Sequence, residues 1–192
     1  MTTKQQILNG IDVVGFRETV SNIRKDPGLA KSRFRATNRW VNGGHSRVTI
    51  HDFYGARKNI EHLRDFRLEA DEPPLLLGED KGANPVEYVL TALSACLTSS
   101  LVYHAAAQGV EIDEVESELE GELDLRGFLG LSDKVRNGYE NIRITFRIKS
   151  DAPQAKLDEL VQLAQARSPV FDIVTHPVPV TVTAQKVKGG LH

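Results

Sequence analysis

One uninterrupted stretch, Asn84 to Gly109 (NPVEYVLTALSACLTSSLVYHAAAQG), sets the terms for what this chain can fold into. Asn84 stands where a helix N-cap belongs, and Pro85 takes the first helical position, where its missing N–H costs nothing. Glu87 is placed to reach back and close a capping box. Gly109 supplies the stop. Between these signals Val89, Leu90, Ala92, Leu93, Ala95, Leu97, Leu101, Val102, Ala105 and Ala106 cover nearly the whole circumference, which predicts one long helix packed on several sides. A membrane span is the competing reading, since Val89 to Ala107 contains no Asp, Glu, Lys or Arg and has the length for it. Against it stand Thr91, Ser94, Thr98, Ser99, Ser100 and His104, each of which would need a partner in lipid, and an acidic rather than basic flank after Gly109. The helix is therefore expected at the centre of a soluble domain.

Composition excludes several function classes. With 192 residues and a formal net charge of -2, the chain suits one domain with a real core and carries no basic footprint for nucleic acid or a membrane surface. Its single cysteine, Cys96, cannot form an internal disulfide, and no apolar secretory segment follows the first residues, so a cytoplasmic location is expected.

Residues 1–32 read as a separate leader, in which Ile11, Val14, Phe16 and Val20 line one side of a helix ended by Asp26-Pro27-Gly28. From Arg33 the period becomes two: Phe34, Ala36, Asn38 and Trp40 form a strand, Asn42-Gly43-Gly44 a turn, and His45 to Tyr54 a second strand, with Val48, Ile50 and Tyr54 on one face. A third strand is expected from Ile60 to about Ala70. Beyond the long helix, Leu119, Gly121, Leu123 and Leu125 alternate with Glu118, Glu120, Glu122 and Asp124. Ile142, Ile144, Phe146 and Ile148 alternate with Arg143, Arg147 and Lys149. The acidic stripe could be a cation site, but a cross-strand charge ladder is the favoured reading. The apolar 127–131 segment reads as a short helix or flap. A second helix runs from Ser150-Asp151-Ala152-Pro153 to about Arg167, Ser168-Pro169 interrupts it, and Pro177 to Val182 is expected as a last, edge strand. The order of elements predicts an α+β fold, antiparallel sheets packed on a long buried central helix and a second helix.

By default a cysteine inside a helix is a small apolar residue. For Cys96 to be reactive its thiolate must be stabilised, and at about three turns from the N-terminus the helix dipole does not reach it, so a cation from another element is needed. His104 is roughly 12 Å further along the helix, too far for an easy cysteine–histidine dyad. His45, His51 and Asp52 match no tight metal-ligand spacing.

With these residues assembled, the chain resembles the OsmC/Ohr family of osmotically inducible and organic-hydroperoxide-resistance proteins. The likeness spans roughly residues 33–187 and is carried by Asp71-Glu72-Pro73-Pro74, Gly82-Ala83-Asn84-Pro85-Val86-Glu87, Leu93-Ser94-Ala95-Cys96-Leu97 and Ser168-Pro169-Val170. The resemblance implies an OsmC-like domain over 33–192 in an intertwined homodimer, with a thiol site at each subunit boundary. No cofactor and no metal are expected. Cys96 then corresponds to the peroxidatic cysteine, which attacks an organic hydroperoxide and becomes a sulfenic acid. Arg47, with Arg39 as the alternative, corresponds to the activating arginine, and Glu87 to the glutamate of the site. Ser168 occupies the position of the resolving cysteine. Two departures follow: a serine cannot form a disulfide, so an external thiol must act as reductant, and the residue directly after the proline is Val86, which leaves Glu87 as site residue or as capping residue alone. The readings that remain are a one-cysteine thiol peroxidase, a non-catalytic dimer of the same fold binding a small apolar ligand, and a stress-associated dimer with neither activity.

Overall fold

A computed structural model describes residues 6–190 of the chain. The centre is helix α2, Pro85–Ala107, which follows two short strands, β1 (Ile7–Leu8) and β2 (Ile11–Asp12), a helix α1 (Val13–Lys25) and strands β3 (Arg33–Phe34), β4 (Thr37–Asn42), β5 (His45–Gly55) and β6 (Lys58–Ala70). After it come β7 (Glu114–Glu122), a single turn α3 (Leu125–Phe128), β8 (Asn141–Lys149), α4 (Gln154–Arg167) and α5 (Pro169–Thr175). All strand pairings between these elements are antiparallel, and the fold is α+β.

The capping chemistry of α2 is realised in full. Asn84 Oδ1 accepts from the Val86 N–H at 3.0 Å, Glu87 Oε2 accepts from the Asn84 N–H at 2.8 Å, and Gly109 adopts the left-handed conformation at φ +73°. Its burial differs from expectation. Leu93, Leu97, Leu101 and Ala105 repeat every four residues and form one buried stripe with Ala106, while Val89, Ala92, Ala95 and Tyr103 remain exposed. The stripe packs on Leu157, Leu160 and Ala164 of α4, under Val115, Phe146 and Ile148 of the β7–β8 hairpin. Each fully buried leucine contributes about 2 kcal/mol of apolar transfer. The other sides of α2 stay open because the β3–β6 sheet does not fold back over them.

That sheet is built around β5, with β3 and β4 along one edge and β6 along the other. The expected first strand is split at Arg35 and Ala36, where Arg35 turns to pair with Asp52 at 2.8 Å. The Gly43 turn is present, at φ +54°. β6 is not regular: Ile50 faces Phe66 and Asp52 faces Glu61, so His62 to Asp65 bulge opposite the single residue His51. His51 Nδ1 and Asp65 Oδ1, 2.6 Å apart, tie the bulge. The sheet is anchored to α2 by the loop after β6. The buried Asp71 carboxylate accepts backbone N–H bonds from Glu72, Glu79 and Lys81, and Ala70 bridges Ala83. Tyr88 Oη donates to Glu69 O at 2.7 Å.

The β7–β8 hairpin follows the predicted alternation as far as Glu122; Asp124 and Leu125, expected on the strand, instead cap and open α3, because the Asp124 carboxylate accepts the Arg126 N–H. Arg143 pairs with Glu120 and Glu122, Arg147 with Glu116 and Glu118, and Lys149 with Glu114. The acidic stripe is thus a charge ladder, and no metal-holding cluster of His, Cys, Asp or Glu occurs among the described residues. Gly121 is required in β7 because a Cβ there would stand 2.5 Å from the Tyr139 ring.

The expected strand at Pro177–Val182 is a correction. Residues 177–182 form no strand, and Val178, Val180 and Val182 are exposed. A strand needs a neighbour to hydrogen-bond, and within the chain this segment reaches none. The leader contains a helix, capped by Asp12 and ended at Asp26, but Ile11, expected on its apolar side, lies in the β1–β2 hairpin before it, because Asp12 caps the helix and fixes its start at Val13. It is pinned to the body by Asn9, whose side chain donates to Val110 O and accepts from Ile112 N, both at 2.9 Å. The Phe16 ring meets that of Tyr103 edge-on at 5.4 Å.

Candidate functional site

Cys96 lies near the middle of α2 and is half-buried. Across from it stands Ser168, brought there by the Ser168-Pro169 break between α4 and α5. α4 docks on the leucine stripe of α2, the proline forbids its continuation, and the chain turns so that Ser168 becomes the N-cap of α5. Ser168 is buried, 2% exposed, and its hydroxyl donates to Cys96 Sγ at 3.1 Å while accepting the Phe171 N–H at 3.2 Å. Two residues 72 positions apart thus share one hydrogen bond.

The other predicted site residues lie elsewhere in the chain. Arg47 is on β5, exposed, with Nε 2.6 Å from Glu69 Oε1. His45 Nε2 is 2.7 Å from Glu69 Oε2. The Arg47 and His45 hydrogen bonds hold the Glu69 carboxyl below its ordinary value. Arg39 stands directly opposite Arg47 in the β4–β5 register, so both candidate arginines share one face of the sheet. They line a shallow hollow with Thr49 and Arg67. Glu87 closes the α2 capping box. At ~100° per residue it points to the side of α2 opposite Cys96, about two and a half turns away. The structure brings Cys96 and Ser168 together, and it does not bring Arg47, Arg39 or Glu87 of the same chain to them.

Two features went unread in the sequence. One is the Phe171 N–H, which orients the Ser168 hydroxyl. The Ser-Pro-Val-Phe run carries the N-cap signal that would have given it. The other is a mixed groove of about 450 Å³ whose walls include Val89, Leu93, Ile142, Ile144 and Phe171 together with Arg136, Glu140 and Asn141, and which neither Cys96 nor Ser168 lines. It joins α2, β8 and α5, and no local pattern announces it. Of the apolar 127–131 segment only Gly127 and Phe128 belong to the turn α3, the rest follows it as a loop, and Phe128, Leu129 and Leu131 are exposed.

A long helix carrying one thiol, faced by the capping serine of a helix–proline–helix unit and packed under the β7–β8 hairpin, defines an α+β domain with a single-thiol site. The family model described as OsmC-like protein matches residues 78–183, more than half of the chain, and the chain belongs to that family. Among solved structures it is similar to an OsmC-like protein from Mycoplasma pneumoniae, at 16% identity over 76% of this chain and 89% of that one, with a TM-score of 0.59. It is also similar to a protein from Legionella pneumophila described as an organic hydroperoxide resistance protein OsmC, at 18% identity over 73% and 89% of the two chains, with a TM-score of 0.52. These likenesses show the fold. A search of the curated proteins found no match.

Proposed function

We propose that this chain is a homodimeric one-cysteine thiol peroxidase that reduces organic hydroperoxides with an external thiol as reductant. The observation that carries the reading is the Ser168 hydroxyl 3.1 Å from Cys96 Sγ, an inert group standing where the family places a second thiol. The Cys96 thiolate attacks the distal oxygen of ROOH; the O–O bond breaks, Cys96 becomes a sulfenic acid, and the alkoxide leaves to take up a proton as ROH. An external thiol then attacks the sulfenic sulfur, releasing water and forming a mixed disulfide. A second external thiol reduces that disulfide and frees Cys96. The balance is ROOH plus two thiols giving ROH, water and one disulfide.

Arg47, with Arg39 beside it, and Glu87 act in this reading across a subunit boundary. Support for a second copy comes from the open sides of α2 and the β3–β6 sheet, and from Glu87 lying opposite Cys96 on its own helix. Residues 33–192 are the catalytic domain and 1–32 a leader, held to it through Asn9 and Phe16. The protein works in the cytoplasm without cofactor, metal, nucleic acid or membrane.

A second reading is favoured by the 450 Å³ groove whose walls include Val89, Leu93, Ile142, Ile144 and Phe171: a non-catalytic dimer of the same fold that binds a small apolar ligand. One experiment separates the two. Intact mass and free-thiol titration are read after stoichiometric organic hydroperoxide, with hydrogen peroxide as comparison and Cys96→Ser as control. Fast oxidation that favours the organic peroxide, trapped as sulfenic acid and reversed by added thiol, is expected. A thiol that stays reduced, or oxidises no faster than free cysteine, overturns the peroxidase reading and leaves the ligand-binding one.

A further inference from the structure

Ser168 is the one buried hydroxyl in contact with the thiol, and the peroxidase cycle above gives it no task. A serine hydroxyl has one proton to donate and two lone pairs to accept with. The Phe171 N–H points into one lone pair at 3.2 Å, and the proton is directed at Cys96 Sγ, 3.1 Å away. Accepting a bond while donating another polarises the O–H and makes it the better donor. Nothing lets the hydroxyl drift: the residue is 2% exposed and its backbone is fixed as the N-cap of α5, with Pro169 following. A thiolate can only accept, so a donor held in this direction suits the ionised sulfur better than the thiol.

We infer that Ser168 is a positioning residue that holds a fixed hydrogen-bond donor on the Cys96 sulfur and so favours the thiolate and, after oxidation, the sulfenate. This deepens the peroxidase reading and rests on it for its purpose, though the donor itself is tested without peroxide. No bond to Ser168 forms or breaks in the cycle. The hydroxyl occupies the α5 side of the sulfur. A serine that merely caps α5 is the alternative, and substitution chemistry distinguishes the two. Ser168→Asp keeps a good N-cap acceptor yet has no proton to give and places negative charge beside sulfur. Ser168→Thr keeps both the cap and the donor. Ser168→Ala loses both.

The experiment measures the rate of Cys96 alkylation by iodoacetamide against pH in the full chain, with thermal stability recorded for each variant. Ser168→Ala and Ser168→Asp are expected to move the midpoint of the rate profile upward, slowing alkylation at neutral pH about tenfold, the size of a hydrogen bond to a charged acceptor. Ser168→Thr is expected to restore the original midpoint. Stability should follow a different order, with Asp and Thr above Ala. A midpoint unmoved in Ala, or an Asp variant that alkylates like the original, overturns the inference and leaves Ser168 a cap. If Ala does not fold, Ser168→Gly, an adequate N-cap with neither donor nor charge, takes its place, because the Asp charge raises the midpoint by itself. Treating the same proteins with organic hydroperoxide separates the two claims. Oxidation that fails while the alkylation order holds sinks the peroxidase reading only, and oxidation that proceeds with unmoved midpoints sinks the role of Ser168 only.

Discussion

Replacing Ser168 by cysteine turns the 3.1 Å contact with Cys96 into a candidate disulfide. Two sulfurs need to approach to about 2.05 Å, roughly 1 Å closer than the present Oγ and Sγ, and the longer C–S bond of cysteine supplies part of that. The new bond would close a loop spanning the 72 positions between the residues. Chain-entropy arithmetic for a loop of that size gives a ceiling of about 4.4 kcal/mol at room temperature, and engineered bridges commonly deliver less. A gain of about 2–4 kcal/mol is therefore expected. At about 2–4 °C per kcal/mol for a chain of this length, the melting temperature should rise by roughly 5–15 °C on oxidation and fall back on reduction. The assay is intact mass with thiol counting after mild oxidation of Ser168→Cys, followed by thermal melts with and without reductant. Both thiols remaining titratable, or only intermolecular bridges forming, would refute the placement of α5 against α2 that every functional statement above depends on.

Two further outcomes follow from the anchoring contacts. Backbone N–H bonds from Lys81, and then Glu72 and Glu79, hold the Asp71 carboxyl below its ordinary value. A carboxylate depressed in the folded state contributes stability that is present above its unfolded value of about 3.9 and lost as pH falls through the folded one. Acid melts of Asp71→Asn should show a weaker pH dependence in that window than the original chain, and identical acid profiles would contradict the assignment. Asn9→Ala removes the side chain that pairs with Val110 O and Ile112 N. Amide exchange should then accelerate in residues 7–25 while the α2 stripe around Leu101 stays protected, and uniform acceleration would contradict a leader that docks as an appendage.

The pH dependence of the β5–β6 bulge runs the other way. The Asp65 hydrogen bond raises the ordinary titration point of His51. Its contribution is present below the unfolded value and lost as pH rises through the folded one. Both groups are exposed, so the effect belongs to the bulge and not to the stability of the whole.

What the sequence alone determined is whatever rests on local chemistry. Asn84, Pro85, Glu87 and Gly109 set the ends of α2, because caps and left-handed stops act within one turn of where they are written. The alternation of Glu118 to Glu122 and Ile142 to Lys149 paired β7 with β8, since period two and opposite charge are properties of the strands themselves, while Asp124 and Leu125 were taken by the cap and first turn of α3. Family likeness in Ser168-Pro169-Val170 pointed to the partner of Cys96. Tertiary structure decided the rest. It left α2 buried along one stripe instead of all round, because helices say which residues are apolar and not which neighbours arrive to cover them. It denied Pro177–Val182 a strand for want of an edge to join, and put four residues of β6 into a bulge opposite His51. It also aimed the Ser168 proton at sulfur, through the Phe171 N–H, because the direction of a hydrogen bond between groups 72 positions apart is fixed only by how α4 docks and how sharply Pro169 turns the chain.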